Sequence, residues 1–167
     1  MGSLLRGVSR VRWDALRGAQ QVRAAEIPVL LSRIAYGDED TARLAVEDLA
    51  DCVCWSEFLA GEATAPTVPF LLELAGAPHV PCKAELLELL EHICRAEQWH
   101  RAASSVRDDK RCTAYREQPC WEAASRAAVR AGRPVVAGLA SSVRPEEAEP
   151  ARRLLRAMDE VPSFPEV

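Results

Sequence analysis

The sequence predicts an all-α fold, a short α-solenoid in which pairs of helices stack side by side. The strongest observation is an internal repeat, since residues 27–31 align without a gap with residues 68–72 and share the position of the proline. In each copy the proline belongs to a first helix, and the second helix carries an apolar stripe at helical spacing. The stripe consists of Ala45, Leu49 and Cys52 in the first copy, and of Leu86, Leu90 and Ile93 in the second. The composition agrees, because 49% of the 167 residues are hydrophobic and only 5% are aromatic.

The chain is predicted to be one domain, residues 1–167, since its length suits a single core. Residues 1–25 are expected to cap the array with an N-terminal helix from about 13 to 24. Residues 26–99 form two regular repeats. In the first, Pro28 opens a short helix, Gly37 ends it, and an acidic turn begins a second helix over about 40–54.

The second repeat follows the same plan. Pro69 is expected to open its short helix, residues 76–78 to close it, and the longest helix to run over about 81–99. On that helix the pattern directs Leu86, Leu87, Leu90 and Ile93 inward, and Glu85, Glu88 and Glu91 outward.

Residues 100–118 interrupt this pattern with a polar insertion loop, a feature that projects from one face in repeat proteins. Residues 119–160 form a third, divergent repeat, with a break at Gly132, a restart at Pro134 and a last helix over 145–160. Residues 161–167 are expected to form a frayed tail. Regular helix is expected to resume at Pro119 with Trp121, Ala124, Ala128 and Val129, and the stripe positions of this repeat are Ala151, Leu155 and Met158.

Charge and hydropathy exclude several classes of function. The net charge of −4 and the pI of about 5.5 disfavour nucleic-acid binding, because a surface of that sign repels phosphates. No apolar run approaches the roughly 20 residues of a membrane span, and residues 1–13 lack the pattern of a secretory signal. A cytoplasmic protein with reduced cysteines is therefore predicted, with Cys52 and Cys94 buried as small apolar side chains.

Candidate binding residues lie beside the apolar stripe on the second helix of each repeat. If these helices line a concave wall, such residues face the groove. The row admits two interpretations, a solvated helix face or a surface that binds a partner or ligand. The aligned positions are Glu47, Glu88 and Arg153 in one row, and Asp51, His92 and Ala157 in the next.

Aromatic residues supply a second set of candidates. Trp55 and Phe58 lie in the first connector, where an exposed pair would serve as an anchor for a partner. The alternative is that the tryptophans near helix ends are buried and cover the ends of the stacked helices. The other three are Trp13, Trp99 and Trp121.

No cofactor or metal is predicted. Structural zinc sites usually have two pairs of ligands, with the members of each pair two to four residues apart, whereas here a helix separates every candidate pair from the next. The candidate ligands are Cys52, Cys54, His79, Cys82, His92, Cys94, Cys112 and Cys120. A crosslink between Cys112 and Cys120 is the alternative to reduced thiols. No catalytic motif is present, so catalytic residues stay unassigned; an enzyme would draw on Glu47 or Glu88 as general base, with His92 beside them.

These features resemble the HEAT-repeat family: paired helices of about forty residues, an early proline, an acidic turn and an Ala/Leu stripe. The segment 62–74 is similar to the second-repeat opening of small actinobacterial HEAT-repeat proteins. HEAT units usually carry an Asp and then an Arg or Lys, which Asp40 and Arg43 match, whereas the second copy has His79 and Lys83. The resemblance implies a curved solenoid with a concave surface formed by the second helices, used for binding.

Two functions follow from this interpretation. The first is a non-enzymatic protein-binding module, such as a regulator, assembly factor or immunity-type protein, which contacts another protein through the concave face and the insertion. The alternative is a small enzyme or small-molecule-binding protein of specialised metabolism that uses the groove as a pocket. An open trough favours the first, and a closed cavity of about 300 Å³ or more with converging polar groups favours the second.

Overall fold

A computed structural model describes residues 3–18, 24–55, 59–105 and 117–162. Regular structure in these ranges is almost entirely helical, which confirms the all-α prediction. Two short antiparallel strands, β1 (Cys54–Trp55) and β2 (Leu59–Ala60), follow the second helix. The helices are α1 (Ile27–Tyr36), α2 (Glu39–Val53), α3 (Thr64–Gly76), α4 (Lys83–Arg95), α5 (Gln98–Ser105), α6 (Gln118–Ala131), α7 (Arg133–Ala140) and α8 (Pro145–Glu160).

The first helix pair agrees closely with the prediction. Pro28 lies in the first turn of α1, where a missing N–H costs no hydrogen bond, and Gly37 is the C-cap. The Asp38 side chain caps α2 by accepting a hydrogen bond from the Thr41 N–H at 2.8 Å. Hydrogen bonding by the side chain and backbone of Thr41 lowers the pKa of Asp38. The predicted stripe on α2 is buried at Ala45, Leu49 and Cys52.

The next helix begins earlier than predicted. Pro69 does not open α3 but lies inside it, because α3 starts at Thr64. The Thr64 hydroxyl accepts a hydrogen bond from the Gly61 N–H at 2.8 Å and donates one to the Val53 carbonyl, so it ties the start of α3 to the end of α2. Burial of the apolar face of α3 outweighs the hydrogen bond lost at Pro69. That face includes Val68, Leu71 and Leu74.

The long helix predicted over residues 81–99 is two helices, α4 and α5, separated by residues 96 and 97. All four leucine and isoleucine positions predicted to face inward are fully buried: Leu86, Leu87, Leu90 and Ile93. The predicted insertion loop 100–118 is corrected at its start, since residues 100–105 belong to α5. Its central part, 106–116, lies outside the described residues.

The N-terminal helix predicted over residues 13–24 is not formed in the part that the structure describes. Residues 8–10, 13–15 and 24–26 form short 3-10 turns, and residues 19–23 lie outside the described ranges. The Trp13 indole N–H donates to the Val8 carbonyl at 2.8 Å, and its ring packs against Phe70 of α3. The Leu5 N–H donates to Glu73 of α3. These contacts hold the segment across α3 as an irregular strap rather than a helix.

The C-terminal helices begin and end close to the predicted places. Pro134 and Pro145 lie in the first turns of α7 and α8, and Gly132 separates α6 from α7. One stripe position is wrong: Leu155 is only half-buried, and Leu154 is the fully buried residue. Residues 163–167 of the predicted tail lie outside the described residues.

Helix contacts run in two series. Each predicted pair is in contact, α1 with α2, α3 with α4, and α7 with α8. The first helices α1, α3 and α7 also contact one another in that order, as do the second helices α2, α4 and α8. Helix α6 is additional to both series and packs against α3, α4, α5 and α7.

Candidate functional site

The predicted polar row lies on the adjacent second helices α2, α4 and α8. Glu47 and Asp51 on α2 and Glu88 on α4 are exposed, and His92, one turn after Glu88, is half-buried. None of the three acidic residues has an ion-pair or hydrogen-bond partner among the described residues. The row is therefore accessible on two neighbouring helices.

The outer face of α2 also carries an exposed apolar side chain. Leu44 is 62% exposed, and its neighbours at one helical turn are Asp40, Glu47 and Asp48, all exposed. We define the α2/α4/α8 face by Leu44, Glu47, Asp51, Glu88 and Arg153. This face combines an apolar residue with an acidic surround on α2 and a basic residue on α8.

The third helix of the row departs from the predicted register. Arg153 is exposed, as predicted, and its Nε lies 3.7 Å from the Glu91 carboxylate of α4. Ala157 is fully buried and does not face a groove, because α8 packs closely against both α4 and α7. Glu91 is likewise not outward as predicted, since its side chain is only 16% exposed and also pairs with Arg95.

Exposed ion pairs bridge the second helices. The Arg43 guanidinium of α2 bonds to Glu39 at 2.8 Å and to Glu85 of α4 at 3.3 Å. Arg95 of α4 bonds to Glu160 of α8 at 3.2 Å. The hydrogen bond to Glu85 raises the pKa of Arg43 most, and the hydrogen bond to Glu39 raises it further. The α2/α4/α8 face thus lies on helices that are linked by polar contacts as well as by the core.

The predicted aromatic anchor cannot be placed. The Trp55 side chain and the whole of Phe58 lie outside what the structure describes. Trp13 is buried, and the Trp99 indole N–H donates to the Ala60 carbonyl at 2.8 Å, which favours the interpretation that these two residues cover helix ends. Trp121 packs against the Arg17 guanidinium, whose Cζ is 5.8 Å from the ring centroid.

A buried polar row on α6 was missed by sequence reasoning. We call Glu122, Arg126 and Arg130 the α6 polar row. The Glu122 Oε1 accepts a hydrogen bond from the Trp99 N–H at 2.7 Å, and its Oε2 accepts one from the His100 N–H at 3.1 Å. The same Oε2 lies 2.7 Å from the His100 Nδ1. Since these N–H groups belong to the first turn of α5, Glu122 caps that helix from another part of the fold.

Whereas Glu122 binds the N-terminal end of a helix, the two arginines of the row bind carbonyl groups at C-terminal ends. Arg126 donates to the Cys94 carbonyl at 3.0 Å and to the Ala96 and Pro162 carbonyls at 2.9 Å. Arg130 donates to the carbonyls of Met158 and Val161 at the end of α8. Burial lowers the pKa of the Arg126 guanidinium. The α6 polar row thus satisfies backbone groups at the ends of α4, α5 and α8.

One signal in the sequence could have revealed this row. Glu122, Arg126 and Arg130 recur every four residues and therefore share a helix face. The sequence pattern singled out only the apolar residues of this helix, of which Val129 is buried and Ala124 is exposed. A histidine oriented by a carboxylate also occurs in general-base catalysis. Here, however, the two backbone N–H groups on the same carboxylate indicate a capping role.

The cysteines show no metal-site arrangement in the described part of the chain, where no group of three or more ligand side chains converges. Cys52 and Cys94 are buried, as predicted. Burial raises the pKa of Cys52 to about 11 and also raises that of Cys94, so both are protonated at neutral pH. Cys112 lies outside the described residues, so the alternative of a crosslink to Cys120 stays a prediction.

Three surface hollows are lined by described residues, and all are open to solvent. The first, of about 560 Å³, lies between residues 4–14 and α1. The second, of about 600 Å³, lies between the α4–α5 junction and the end of α8. The third, of about 470 Å³, lies where the starts of α2, α4 and α8 meet. Within the described ranges, no helix has the length and apolar character needed to cross a bilayer.

Comparison with known proteins found no matching family, no matching curated protein and no matching solved structure. The resemblance to HEAT repeats therefore stays a prediction from the sequence pattern, and the function is argued from the geometry of the chain itself.

Proposed function

We propose that this chain is a short α-solenoid of HEAT-like helix pairs that binds another protein through its α2/α4/α8 face. The two series of helix contacts, α1–α3–α7 and α2–α4–α8, support this arrangement. In a solenoid the second series forms one continuous wall, and such walls are the usual binding surfaces of repeat proteins.

The observation that carries the proposal is the accessibility of the α2/α4/α8 face. Glu47, Asp51 and Glu88 are exposed on neighbouring helices and take part in no internal ion pair of the described residues. Most other acidic residues of α4 have partners, for example Glu85 with Arg43. Carboxylates without internal partners provide charge complementarity for a partner protein and leave the fold independent of it.

Leu44 distinguishes this face from an ordinary solvated helix. An exposed leucine alone needs no explanation, but here it lies among carboxylates at one-turn spacing on the same face. An apolar residue surrounded by charged ones is the arrangement of an interface centre with a polar rim. We therefore expect Leu44 to be covered when the partner is bound.

The shape of the surface favours a protein over a small ligand. The three hollows exceed the volume at which a pocket could hold a small molecule, but each is open, whereas a small-molecule site encloses most of its ligand. The α2/α4/α8 face itself supplies carboxylates without a converging set of donors. The α2/α4/α8 face therefore fits a protein-binding surface better than the active site of an enzyme that uses no cofactor.

Affinity capture tests the proposal. Full-length chain is immobilised and exposed to lysate of the native host, and each co-purifying protein is quantified for wild type and for Glu47→Gln/Glu88→Gln. We expect at least one captured protein to decrease by about tenfold with this double variant, since rim charges in an interface together reach about 1–2 kcal/mol. Thermal melting should show no change, because both side chains are exposed.

A matched control uses the same substitutions elsewhere. Glu146→Gln/Glu149→Gln removes two exposed glutamates from α8 outside the α2/α4/α8 face. The captured protein should bind this control as it binds wild type. Equal loss in both double variants, or no loss in either, would show that the α2/α4/α8 face is not the binding surface.

A further inference from the structure

The hollow between the N-terminal segment and α1 has features that the proposed function does not use. We call it the N-terminal hollow. Its volume of about 560 Å³ falls within the range of ligand-binding sites, about 300–1,000 Å³. Pro28, Ser32 and Tyr36, spaced four residues apart on α1, form one wall. Leu5, Val8 and Trp13 are among the residues of the opposite wall.

Apolar surface is exposed at this place. Tyr36 is 66% exposed although it lines the hollow, and Val29, next to Pro28 on α1, is also exposed. Leu5 and Val8 are only half-buried. Apolar patches of this kind, bordered by polar residues, mark interaction sites in soluble proteins.

The chain segments that form the N-terminal hollow carry a net positive charge, although the charged residue among those lining it is Asp14. Residues 3–18 contain four arginines and one aspartate, a local charge of +3 in a chain whose net charge is −4. Arg6, Arg10 and Arg12 alternate with lining residues and are exposed, and Arg33 follows Ser32 on α1. Among the described residues, none of these four arginines has a carboxylate partner.

Most exposed arginines elsewhere in the described ranges bond to carboxylates, as Arg43 does to Glu39 and Arg133 does to Asp159. The exceptions away from the N-terminal hollow are Arg152 and Arg156 of α8. Four of the six exposed arginines without a carboxylate partner, counted among the described residues, therefore lie next to residues of one apolar hollow. Guanidinium groups bind carboxylates with paired hydrogen bonds, so a carboxylate-bearing ligand complements this group.

We propose that the N-terminal hollow binds an acidic peptide segment of a partner protein, with apolar side chains seated between Tyr36 and Val8 and carboxylates paired with Arg6, Arg10, Arg12 and Arg33. The open shape suits an extended or helical segment that lies across the hollow. An acyl chain would need an enclosed cavity that covers most of its surface.

This surface is separate from the α2/α4/α8 face and does not depend on it. The N-terminal hollow is bordered by arginines, whereas the α2 part of the other face is acidic. The two surfaces therefore recruit segments of opposite charge, and a variant that affects one should leave the other unchanged.

The test is a selection of random short peptides on the immobilised full-length chain, followed by titration of the enriched peptides. We expect the selected peptides to combine Asp or Glu with Leu, Ile or Phe. Their affinity should fall by about tenfold in Arg10→Glu/Arg12→Glu and by a similar factor in Tyr36→Ala, which equals about 1.4 kcal/mol in each case.

The matched control is Arg152→Glu/Arg156→Glu, which makes the same charge change at two exposed arginines of α8 without ion pairs among the described residues. This variant should bind the selected peptides as wild type does. Circular dichroism of each variant checks that the fold is retained, since all the substituted side chains are exposed.

Three results would overturn the proposal. The first is a selected pool without acidic residues, or one whose affinity is the same for wild type and Arg10→Glu/Arg12→Glu. The second is binding of anionic phospholipid vesicles or oleate that requires Arg10, Arg12 and Tyr36 while the acidic peptides do not bind. The third is a dimer of the chain alone, seen in sedimentation and lost in Arg10→Glu/Arg12→Glu, which would identify a second copy as the occupant.

Discussion

The four helices α1 to α4 and the single helix α6 are held in the fold by different forces. The helices α1 to α4 pack mainly through apolar side chains, with Leu31, Leu49, Leu71 and Leu90 fully buried. On α6 the corresponding inward positions include a glutamate and an arginine. Glu122 is fully buried and Arg126 nearly so, and both bond to backbone groups of other helices.

The comparison shows how an extra helix is accommodated beside two series of stacked helices. Apolar stripes that repeat at a fixed interval allow successive helix pairs to stack without specific hydrogen bonds. Helix α6 belongs to neither series of contacts and lies against helix ends, where carbonyl and N–H groups lack partners. Charged side chains supply those partners, so the chain can place an additional helix there without leaving buried backbone groups unsatisfied.

A large effect is expected for the α6 polar row. Glu122→Gln replaces an oxygen acceptor of the His100 N–H with an amide donor, which leaves a buried N–H without an acceptor. We expect a loss of about 3 kcal/mol in the free energy of unfolding. Urea denaturation followed by circular dichroism measures this change.

The control for that variant is the same substitution at an exposed position. Glu88→Gln lies on α4, outside any ion pair of the described residues, and should leave the urea midpoint nearly unchanged. Equal midpoints for the two variants would mean that Glu122 is not a buried cap, and the contrast between the two regions would then be lost.

An effect of the same order is expected for the buried apolar side chains between the helices, and it tests the register of α8. Leu90→Ala and Leu154→Ala each remove a fully buried side chain and should cost about 2–5 kcal/mol through the cavities they leave. Leu155→Ala removes a half-buried side chain and should cost less than either. The repeat alignment predicts the opposite order for Leu154 and Leu155. Urea midpoints of the three variants decide between the alignment and the structure.

Much of the regular part of the fold could be predicted from the sequence. The bounds of α1, α2, α7 and α8 follow from apolar spacing, from prolines in first turns and from Gly37 and Gly132 at helix ends. These signals are local, so they need no knowledge of the rest of the chain. The all-α class follows from the same signals.

The errors occur where distant groups decide the outcome. Pro69 is tolerated inside α3 because Thr64 begins the helix through bonds to Gly61 and Val53, which a local pattern does not reveal. The break between α4 and α5 depends on Arg126 and Glu122, which come later in the chain. In both cases a side chain from elsewhere satisfies the backbone at a helix end.

For the candidate site, the helical alignment predicted which residues share a face but not which of them are occupied by internal contacts. Glu47, Asp51 and Glu88 are exposed, as a groove position requires. Ala157 is instead buried, although Ala151 and Met158 of the same helix are buried as predicted. The N-terminal hollow was not predicted, since it depends on the strap that replaces the expected capping helix.

The smallest expected effect concerns the exposed ion pairs that link α2 to α4. Arg43 contacts Glu39, Asp40 and Glu85, but all four side chains are at least one-third exposed, so solvent screens their attraction. Arg43→Gln should therefore lower the urea midpoint by less than any buried substitution above. The difference from wild type should disappear at about 1 M salt, where the Debye length is about 3 Å. A loss as large as that of Glu122→Gln, or one that persists at high salt, would show that the first region also depends on charged contacts. The buried apolar side chains would then not be sufficient to hold α2 against α4.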